Sequence, residues 1–282
     1  MAAGDIRIGT SGWHYPGGQG TWNGPFYPKP RPRGFDELAH YATRFDTVEV
    51  NATFYRQPEP AMSRKWLERT PDAFLFAIKL FQKFTHPDAT GWDVHAGDID
   101  LFRAGLDPIA TANRLGALLI QFPSSFHSTG DTRDYVSWLV RAFADYPCAV
   151  EFRHTSWTER AVETVALLDQ QGAALVRIDE PFAHLALGQP RTTAPLAYFR
   201  LHGRNKAQWW AHAQVEDRYN YLYTEAELQP FADEAKAEAA LAKRVLVYFN
   251  NHFSAKAVAN ADILKDTVSR PEFGETSGYH LS

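Results

Sequence analysis

Charged and polar side chains alternate with apolar ones in several short, β-branched segments of the chain. Glu49 lies between two valines, and Glu151 lies between a valine and a phenylalanine. Because successive side chains of a β-strand point to opposite sides of the sheet, the polar members of each segment share one face. Charged groups are costly to bury unless they are paired or used in chemistry, so this face is the first candidate for a functional site.

Three residues of this face suit acid and base catalysis. Glu49 and Glu151 are candidate general acids or bases, and His202 is an alternative proton carrier because its ordinary pKa lies near neutrality. Cations on the same face outnumber these two glutamates, with Asp179 as a candidate third acid. The balance favours an anionic ligand such as a phosphate or a carboxylate, which guanidinium groups bind well. The residues predicted to contact that ligand from the strands are Asn51, Lys79, Gln121, Arg153, Arg177, Arg200 and Asn250.

Histidines and aromatic residues just beyond the strand-like segments are further candidates for ligand contacts. His86 and His154 are equally consistent with structuring the loops in which they lie. Aromatic rings beside a site stack on sugars or bases, although long loops also need small apolar clusters of their own. Trp13, Tyr55 and Trp157 lie closest to predicted strand ends, and we include all five residues in the predicted binding site.

Eight predicted strands alternate with helical patterns and must position these residues. The strands are Ile6–Ser11, Thr47–Asn51, Leu75–Lys79, Ala117–Phe122, Ala149–Arg153, Ala174–Asp179, Ala197–Gly203 and Arg244–Asn251. Strand–helix alternation implies parallel pairing through right-handed crossovers. Eight such units predict a single α/β domain over residues 1–282, folded as a (β/α)8 TIM-type barrel whose sixth helical unit is short or irregular. Active sites of such barrels lie at the C-terminal strand ends, where the polar face is found here.

An open, doubly wound sheet is the alternative fold. Such a sheet normally carries a glycine fingerprint after its first strand, and Gly9-Thr-Ser-Gly12 lacks that spacing. The barrel is therefore the favoured prediction.

The composition excludes several classes of protein. With 282 residues, of which 45% are hydrophobic and 22% charged, the chain is neither disordered nor collagen-like. The single cysteine, Cys148, excludes an intramolecular disulfide and an all-cysteine metal site. No stretch reaches the ~18 apolar residues that cross a bilayer, and the first residues carry no secretion signal. We therefore expect a cytoplasmic protein without a membrane partner.

The favoured function is that of an enzyme acting on a small anionic substrate by carboxylate acid–base chemistry, without a cofactor. Under this hypothesis Glu151→Gln removes turnover and leaves the fold intact. A structural ion-pair network among the same residues is the alternative, and in that case the variant unfolds. A catalytic metal is not favoured, because no tight ligand motif is present and the arginines would repel a cation.

Two further functions stay open. The formal charge of -4 gives no overall attraction to nucleic acid. However, four cations near aromatic segments leave a nucleic-acid or phosphodiester-binding barrel as a second hypothesis, and a metal-dependent hydrolase is one form of it. These cations are Lys65, Arg69, Arg204 and Lys206. A non-catalytic ligand-binding barrel is the third. Nothing in the sequence indicates the oligomeric state.

Several of these segments also carry a family resemblance. The chain resembles the family called domain of unknown function 72, also known as YecE-like, in an ordered series of motifs that runs through nearly all of its length. This resemblance implies a TIM-type barrel and brings no established activity, cofactor or catalytic residue with it. The matching motifs are Ile8-Gly-Thr-Ser-Gly-Trp13, Val48-Glu-Val-Asn-Ala-Thr-Phe-Tyr55, Phe76-Ala-Ile-Lys79 with Thr85-His86, Gln121-Phe-Pro123, Val150-Glu-Phe-Arg-His154 with Trp157, Tyr198-Phe-Arg-Leu-His-Gly203, Arg218-Tyr-Asn-Tyr221 and Val247-Tyr-Phe-Asn-Asn251.

Overall fold

Eight parallel strands form a nearly closed barrel with helices between them, as the sequence predicts. The computed structural model describes residues 3–86, 94–181, 183–184, 190–209 and 214–270. The sheet order is β1-β9-β8-β6-β5-β4-β3-β2, and the short β7 pairs antiparallel with β6. The strands are β1 Asp5–Thr10, β2 Thr47–Val50, β3 Leu75–Lys79, β4 Leu115–Gln121, β5 Cys148–Glu151, β6 Ala174–Glu180, β7 Ala183–His184, β8 Leu196–Leu201 and β9 Arg244–Phe249. That residues 1–282 form one domain stays a prediction.

The helices lie between the strands. They are α1 Glu37–Tyr41, α2 Ala52–Tyr55, α3 Pro60–Glu68, α4 Ala96–Thr111, α5 Gly130–Ala142, α6 Thr155–Thr158, α7 Ala161–Asp169, α8 Glu225–Ala239 and α9 Lys256–Ser269, with 3-10 turns at Gln82–Phe84, Val215–Tyr219 and Phe253–Ala255. The one-turn helices α2 and α6, which directly follow β2 and β5, were not predicted. Between β6 and β8, the described residues contain β7 and no helix, as expected of the irregular sixth unit. Among the described helices, none is long and apolar enough to span a bilayer.

The core has two parts, one outside the ring of strands and one inside it. An outer part fills the space between strands and helices, and Val48, Val150 and Phe199 belong to it. A smaller inner part, the apolar plug, fills the lumen with side chains from six of the strands, among them Leu119 and Tyr198. The polar side chains of the same inward face lie beyond this plug, at the C-terminal strand ends.

The alternation predicted for the sixth strand is correct in period but wrong in side. Val176 and Ile178 pack in the inner part of the core, so Arg177 faces the helices and not the lumen. There it donates to Oε1 of Glu238 at 2.7 Å and pairs with Glu234, both on α8. The polarity of the two faces favours the opposite orientation, but apolar side chains fill the lumen at this level, and the ion pairs with α8 satisfy Arg177 on the outer face.

The barrel closes where β1 approaches β2. Gly9 makes this approach possible, because a Cβ at this position would lie 2.4 Å from the carbonyl oxygen of Thr47. The Tyr41 hydroxyl bridges the two strands: it accepts from the Thr10 amide at 2.9 Å and donates to the Thr47 carbonyl at 3.0 Å. The phenol of a helix thus completes the hydrogen bonding of the two strands at this seam.

We predict that Tyr41→Phe destabilises the protein. The substitution leaves the buried Thr10 amide and the Thr47 carbonyl without this partner, which costs about 1–3 kcal/mol. Chemical denaturation measures the change in the free energy of unfolding. Tyr55→Phe is the matched control, because this tyrosine is 73% exposed. Equal stabilities of the two variants would contradict a role for the Tyr41 hydroxyl in closing the barrel.

Candidate functional site

Arg200 connects two glutamates across the lumen of the barrel. Its Nε and Nη2 donate to the two carboxylate oxygens of Glu49, at 2.9 and 2.7 Å. Its Nη1 donates to Oε2 of Glu151 at 2.6 Å. The Tyr198 hydroxyl donates to Glu49 at 2.7 Å. The side chains of both glutamates are fully buried, and that of Arg200 is nearly so, so this cluster depends on complete pairing of its charges.

The second oxygen of Glu151 extends the cluster towards the C-terminal end. Nε of Arg153 donates to Oε1 of Glu151 at 2.7 Å. Burial alone would raise the pKa of Glu151, but Arg200 and Arg153 hold it well below its ordinary value. The carboxylate is therefore ionised at neutral pH and engaged through both oxygens.

His202 lies in the same buried layer. Its Nδ1 contacts Nδ2 of Asn250 at 2.9 Å, and its Nε2 lies 3.5 Å from Nη2 of Arg153. Burial, reinforced by Arg200 and Arg153, lowers the pKa of His202 well below its ordinary value. Its imidazole is consequently neutral at physiological pH.

A cavity of about 580 Å³ opens above this layer at the C-terminal ends of the strands. Its size suits a small ligand. The predicted site residues that line it are Trp13, Asn51, Tyr55, Lys79, His86, Gln121, Arg153, Arg200 and Asn250. Glu49, Glu151 and His202, which were predicted as catalytic, do not line the cavity and lie beneath its wall. Their catalytic roles stay predictions, and the hydrogen bonds that already engage these side chains do not favour them.

Lys79 differs from the other cations at the cavity. Its Nζ lies 3.9 Å from the centre of the Phe54 ring. Burial lowers the pKa of Lys79 to about 7, and repulsion by Arg200 and Arg153 adds to the effect of burial, against partial compensation by the glutamates. The cation–π contact with Phe54 opposes this in part, because it favours the protonated amine. A substantial fraction of the amine is therefore uncharged at neutral pH.

His86 lies beside Lys79. Its ring packs edge-on against Phe54 at 4.9 Å, and its Nδ1 contacts the Thr85 hydroxyl at 2.9 Å. Burial lowers the pKa of His86 to about 4, and Lys79 and Arg153 act in the same direction. A neutral imidazole and a partly neutral amine thus share one aromatic wall of the cavity.

Arg153 leaves part of its guanidinium group open to the cavity. Nε donates to Glu151 at 2.7 Å and Nη2 lies 3.5 Å from Nε2 of His202, whereas within the described part of the chain Nη1 makes no hydrogen bond. Its side chain is 24% exposed. Arg200, by contrast, directs Nε and both terminal nitrogens to carboxylates. Arg153 is consequently the arginine best placed to bind an anion.

Three predicted binding residues lie away from the cavity. Arg177 pairs with α8, as described above. The ring of Trp157 stacks on Phe152 at 3.9 Å and its Nε1 donates to the Phe126 carbonyl, so its role is in the core. His154 caps α6, with Nδ1 accepting from the Ser156 amide at 3.1 Å. Residues just past a strand end can turn outward, and this explains both errors after β5.

Several residues in or near the cavity were not predicted as site residues. Tyr198 shares the inward face of β8 with Arg200, so the strand alternation already contained it. Glu180 follows from the corrected side of β6: burial raises its pKa, and its Oε2 is buried without a hydrogen bond. Tyr15, Tyr219 and His252 line the cavity from loops, where no periodic pattern marks them.

The structure gives less support to nucleic-acid binding and to a metal site. Of the four cations considered for nucleic-acid binding, Arg69 pairs with Asp36 and Arg204 pairs with Asp179. Lys65 and Lys206 are exposed. Over the residues that the structure describes, no group of three or more His, Cys, Asp or Glu is arranged to hold a metal ion.

We predict that Glu151→Gln destabilises the protein by about 3–5 kcal/mol, because it leaves Arg153 and Arg200 without their shared carboxylate. Chemical denaturation at neutral pH measures the loss. Glu163→Gln is the control, since that exposed glutamate makes only a 3.9 Å surface pair with Arg160, worth at most about 1 kcal/mol. Stability equal to the control would favour the original assignment of Glu151 as a purely catalytic group.

Relatives and solved structures agree with this architecture. UPF0759 protein YunF of Bacillus subtilis is 29% identical over 270 residues, covering 90% of this chain and 92% of YunF. UPF0759 protein YecE of Escherichia coli is 30% identical over 166 residues, covering 57% of this chain and 58% of YecE.

Two crystal structures of family members superimpose over almost the whole chain. A DUF72 family protein from Enterococcus faecalis has a TM-score of 0.81 at 25% identity, covering 94% of this chain and 96% of its own. A DUF72 family protein from Thermotoga maritima has a TM-score of 0.77 at 30% identity, covering 94% and 100%. The model of the family described as "Protein of unknown function DUF72" matches residues 7–277. The chain therefore belongs to the DUF72 family.

Proposed function

We propose that this protein is an enzyme that binds a small anionic substrate in the cavity at the C-terminal ends of the strands. The observation that carries the proposal is the open edge of Arg153, which faces the cavity while its Nε is held by Glu151. A guanidinium group donates short, charge-assisted hydrogen bonds to a carboxylate or a phosphate. Glu151 fixes the direction of that edge before any ligand arrives.

The depth at which each charge lies below the cavity mouth supports the same ligand class. Glu49 and Glu151 lie below the cavity wall and are paired with Arg200. Arg153 and Lys79 line the wall itself. An anion therefore meets positive groups first, whereas the negative ones lie deeper and are already paired.

Lys79 is the group that we assign to proton transfer, with the neutral His86 beside it. A general acid or base works best when its pKa lies near the working pH, and burial brings the pKa of Lys79 to about 7. This assignment moves the chemistry from Glu49, Glu151 and His202 to residues that line the cavity. The aromatic rim, with the exposed Tyr55 beside Phe54, offers a flat surface for the rest of the substrate.

We expect Arg153→Gln to weaken the binding of inorganic phosphate or pyrophosphate by about 10- to 100-fold, because one charge-assisted pair is lost. Titration calorimetry measures this affinity. Arg141→Gln is the matched control, because Arg141 is an exposed residue in the last turn of α5. Equal affinities of both variants, with folding verified by circular dichroism, would rule out Arg153 as the anion-binding group.

Lys79 should react unusually fast with amine reagents near neutral pH. Below its pKa of about 7 the amine is protonated and unreactive, and above it the free amine is labelled. Peptide mapping after brief treatment with acetic anhydride across a pH series gives the labelling rate at each lysine. The exposed Lys65 serves as the internal comparison. A Lys79 profile that coincides with that of Lys65 across the pH series would contradict the assignment of Lys79 as a proton carrier.

A further inference from the structure

We propose that Lys79 forms an imine with a carbonyl group of the substrate, which places the substrate among 2-oxo acids and phosphorylated carbonyl compounds. This inference rests on the anionic cavity of the proposed function and adds a covalent step to it. It defines the ligand by two features, an anion for Arg153 and a carbonyl carbon for Nζ of Lys79.

The surroundings of Lys79 suit a nucleophile better than an ion-pair partner. Within the described part of the chain, no carboxylate oxygen lies within ion-pair distance of Nζ, although two glutamates are buried nearby. Arg200 and Arg153 take up those carboxylates. Nζ instead lies over the ring of Phe54 and faces the cavity.

Neighbouring cations favour the free amine. Lysines become nucleophilic when they are desolvated in an apolar site or lie beside another cationic group. Both conditions hold for Lys79, whose pKa falls because of burial first and the two arginines second. A lysine that only bound an anion would gain nothing from this loss of charge.

The chemical step conserves atoms and electrons. The lone pair of Nζ attacks the carbonyl carbon, and the C=O π electrons move to the oxygen, which takes up a proton to give a carbinolamine. The nitrogen then loses a proton, the hydroxyl takes up a proton, and the C–O bond breaks with release of water while the nitrogen lone pair forms the C=N bond. The net reaction consumes one proton from solvent. The product is a protonated imine, and no oxidant or reductant takes part.

His86 is the neighbouring group that can carry the proton in this step. Its ring contacts Phe54, the same ring over which Nζ of Lys79 lies. Its imidazole is neutral at physiological pH, so it can accept the proton lost by the attacking nitrogen and return it to the departing hydroxyl. Arg153 would hold the anionic end of the substrate meanwhile.

Reductive trapping tests the proposal directly. The full chain is incubated at neutral pH with pyruvate or with dihydroxyacetone phosphate in the presence of sodium cyanoborohydride, which reduces an imine to a stable secondary amine. Peptide mapping by mass spectrometry locates the adduct. We expect modification of Lys79 at least about tenfold faster than that of the exposed Lys65. The two probes distinguish a carboxylate from a phosphate as the anionic group.

Two comparisons separate the covalent step from anion binding. Methyl pyruvate carries the same carbonyl without the charge. Arg153→Gln removes a cation that favours the free amine of Lys79 for both probes, so the variant should slow trapping of pyruvate about tenfold more than trapping of methyl pyruvate. Lys79→Arg keeps a positive charge but should abolish the trapped adduct at position 79. An unchanged phosphate affinity of this variant shows that its cavity is still formed.

The outcomes decide between the two proposals. Phosphate binding that depends on Arg153, together with trapping at Lys79 no faster than at Lys65 for all three probes, overturns the imine and retains the anion site. Trapping at Lys79 that is equal for pyruvate and methyl pyruvate supports the imine and contradicts the anionic substrate. Loss of both phosphate binding and trapping in the folded protein overturns both.

Discussion

The pairing of Arg200 with Glu49 and Glu151 is the interaction on which the architecture of the site depends. Three charges from β2, β5 and β8 meet inside the barrel, where each would be costly to bury alone. Their geometry satisfies the requirement: three guanidinium nitrogens are directed at three carboxylate oxygens, and Tyr198 adds a further donor. The cluster joins distant walls of the lumen and forms a polar layer above the apolar plug.

This layer also determines the electrostatics of the cavity above it. Because Arg200 engages both carboxylates, little negative charge is left to stabilise an ammonium group at Lys79. Arg153, held by the remaining oxygen of Glu151, adds a second positive group close to the cavity. The low pKa of Lys79 follows from this arrangement and from burial. A structural network and a reactive group are therefore two consequences of the same set of contacts.

The sequence predicts the fold and most of the cavity wall because strand alternation is a local property. In β2, β5 and β8 the two faces differ sharply in polarity, and Glu49, Glu151 and Arg200 all point inward as expected. In β6 the polar face is the outer one, because Arg177 pairs there with two glutamates of α8, so polarity alone assigned Arg177 to the wrong side. The glutamates of α8 that bind Arg177 are spaced four residues apart on one helix face, a signal visible only once the pairing is known.

What the sequence could not supply is the division of labour among like residues. Arg153 and Arg200 are both predicted on the inward face. Arg200 directs three nitrogens to carboxylates, whereas Arg153 keeps part of its guanidinium group open to the cavity. Only the three-dimensional positions of Glu49 and Glu151 distinguish the two arginines. The same positions explain why two well-placed carboxylates are poor candidates for bases: each is already engaged through both oxygens. The proposed site needs no titrating carboxylate, because the ion pairs below the cavity hold Arg153 in place, and the desolvated amine of Lys79 would supply the reactive lone pair.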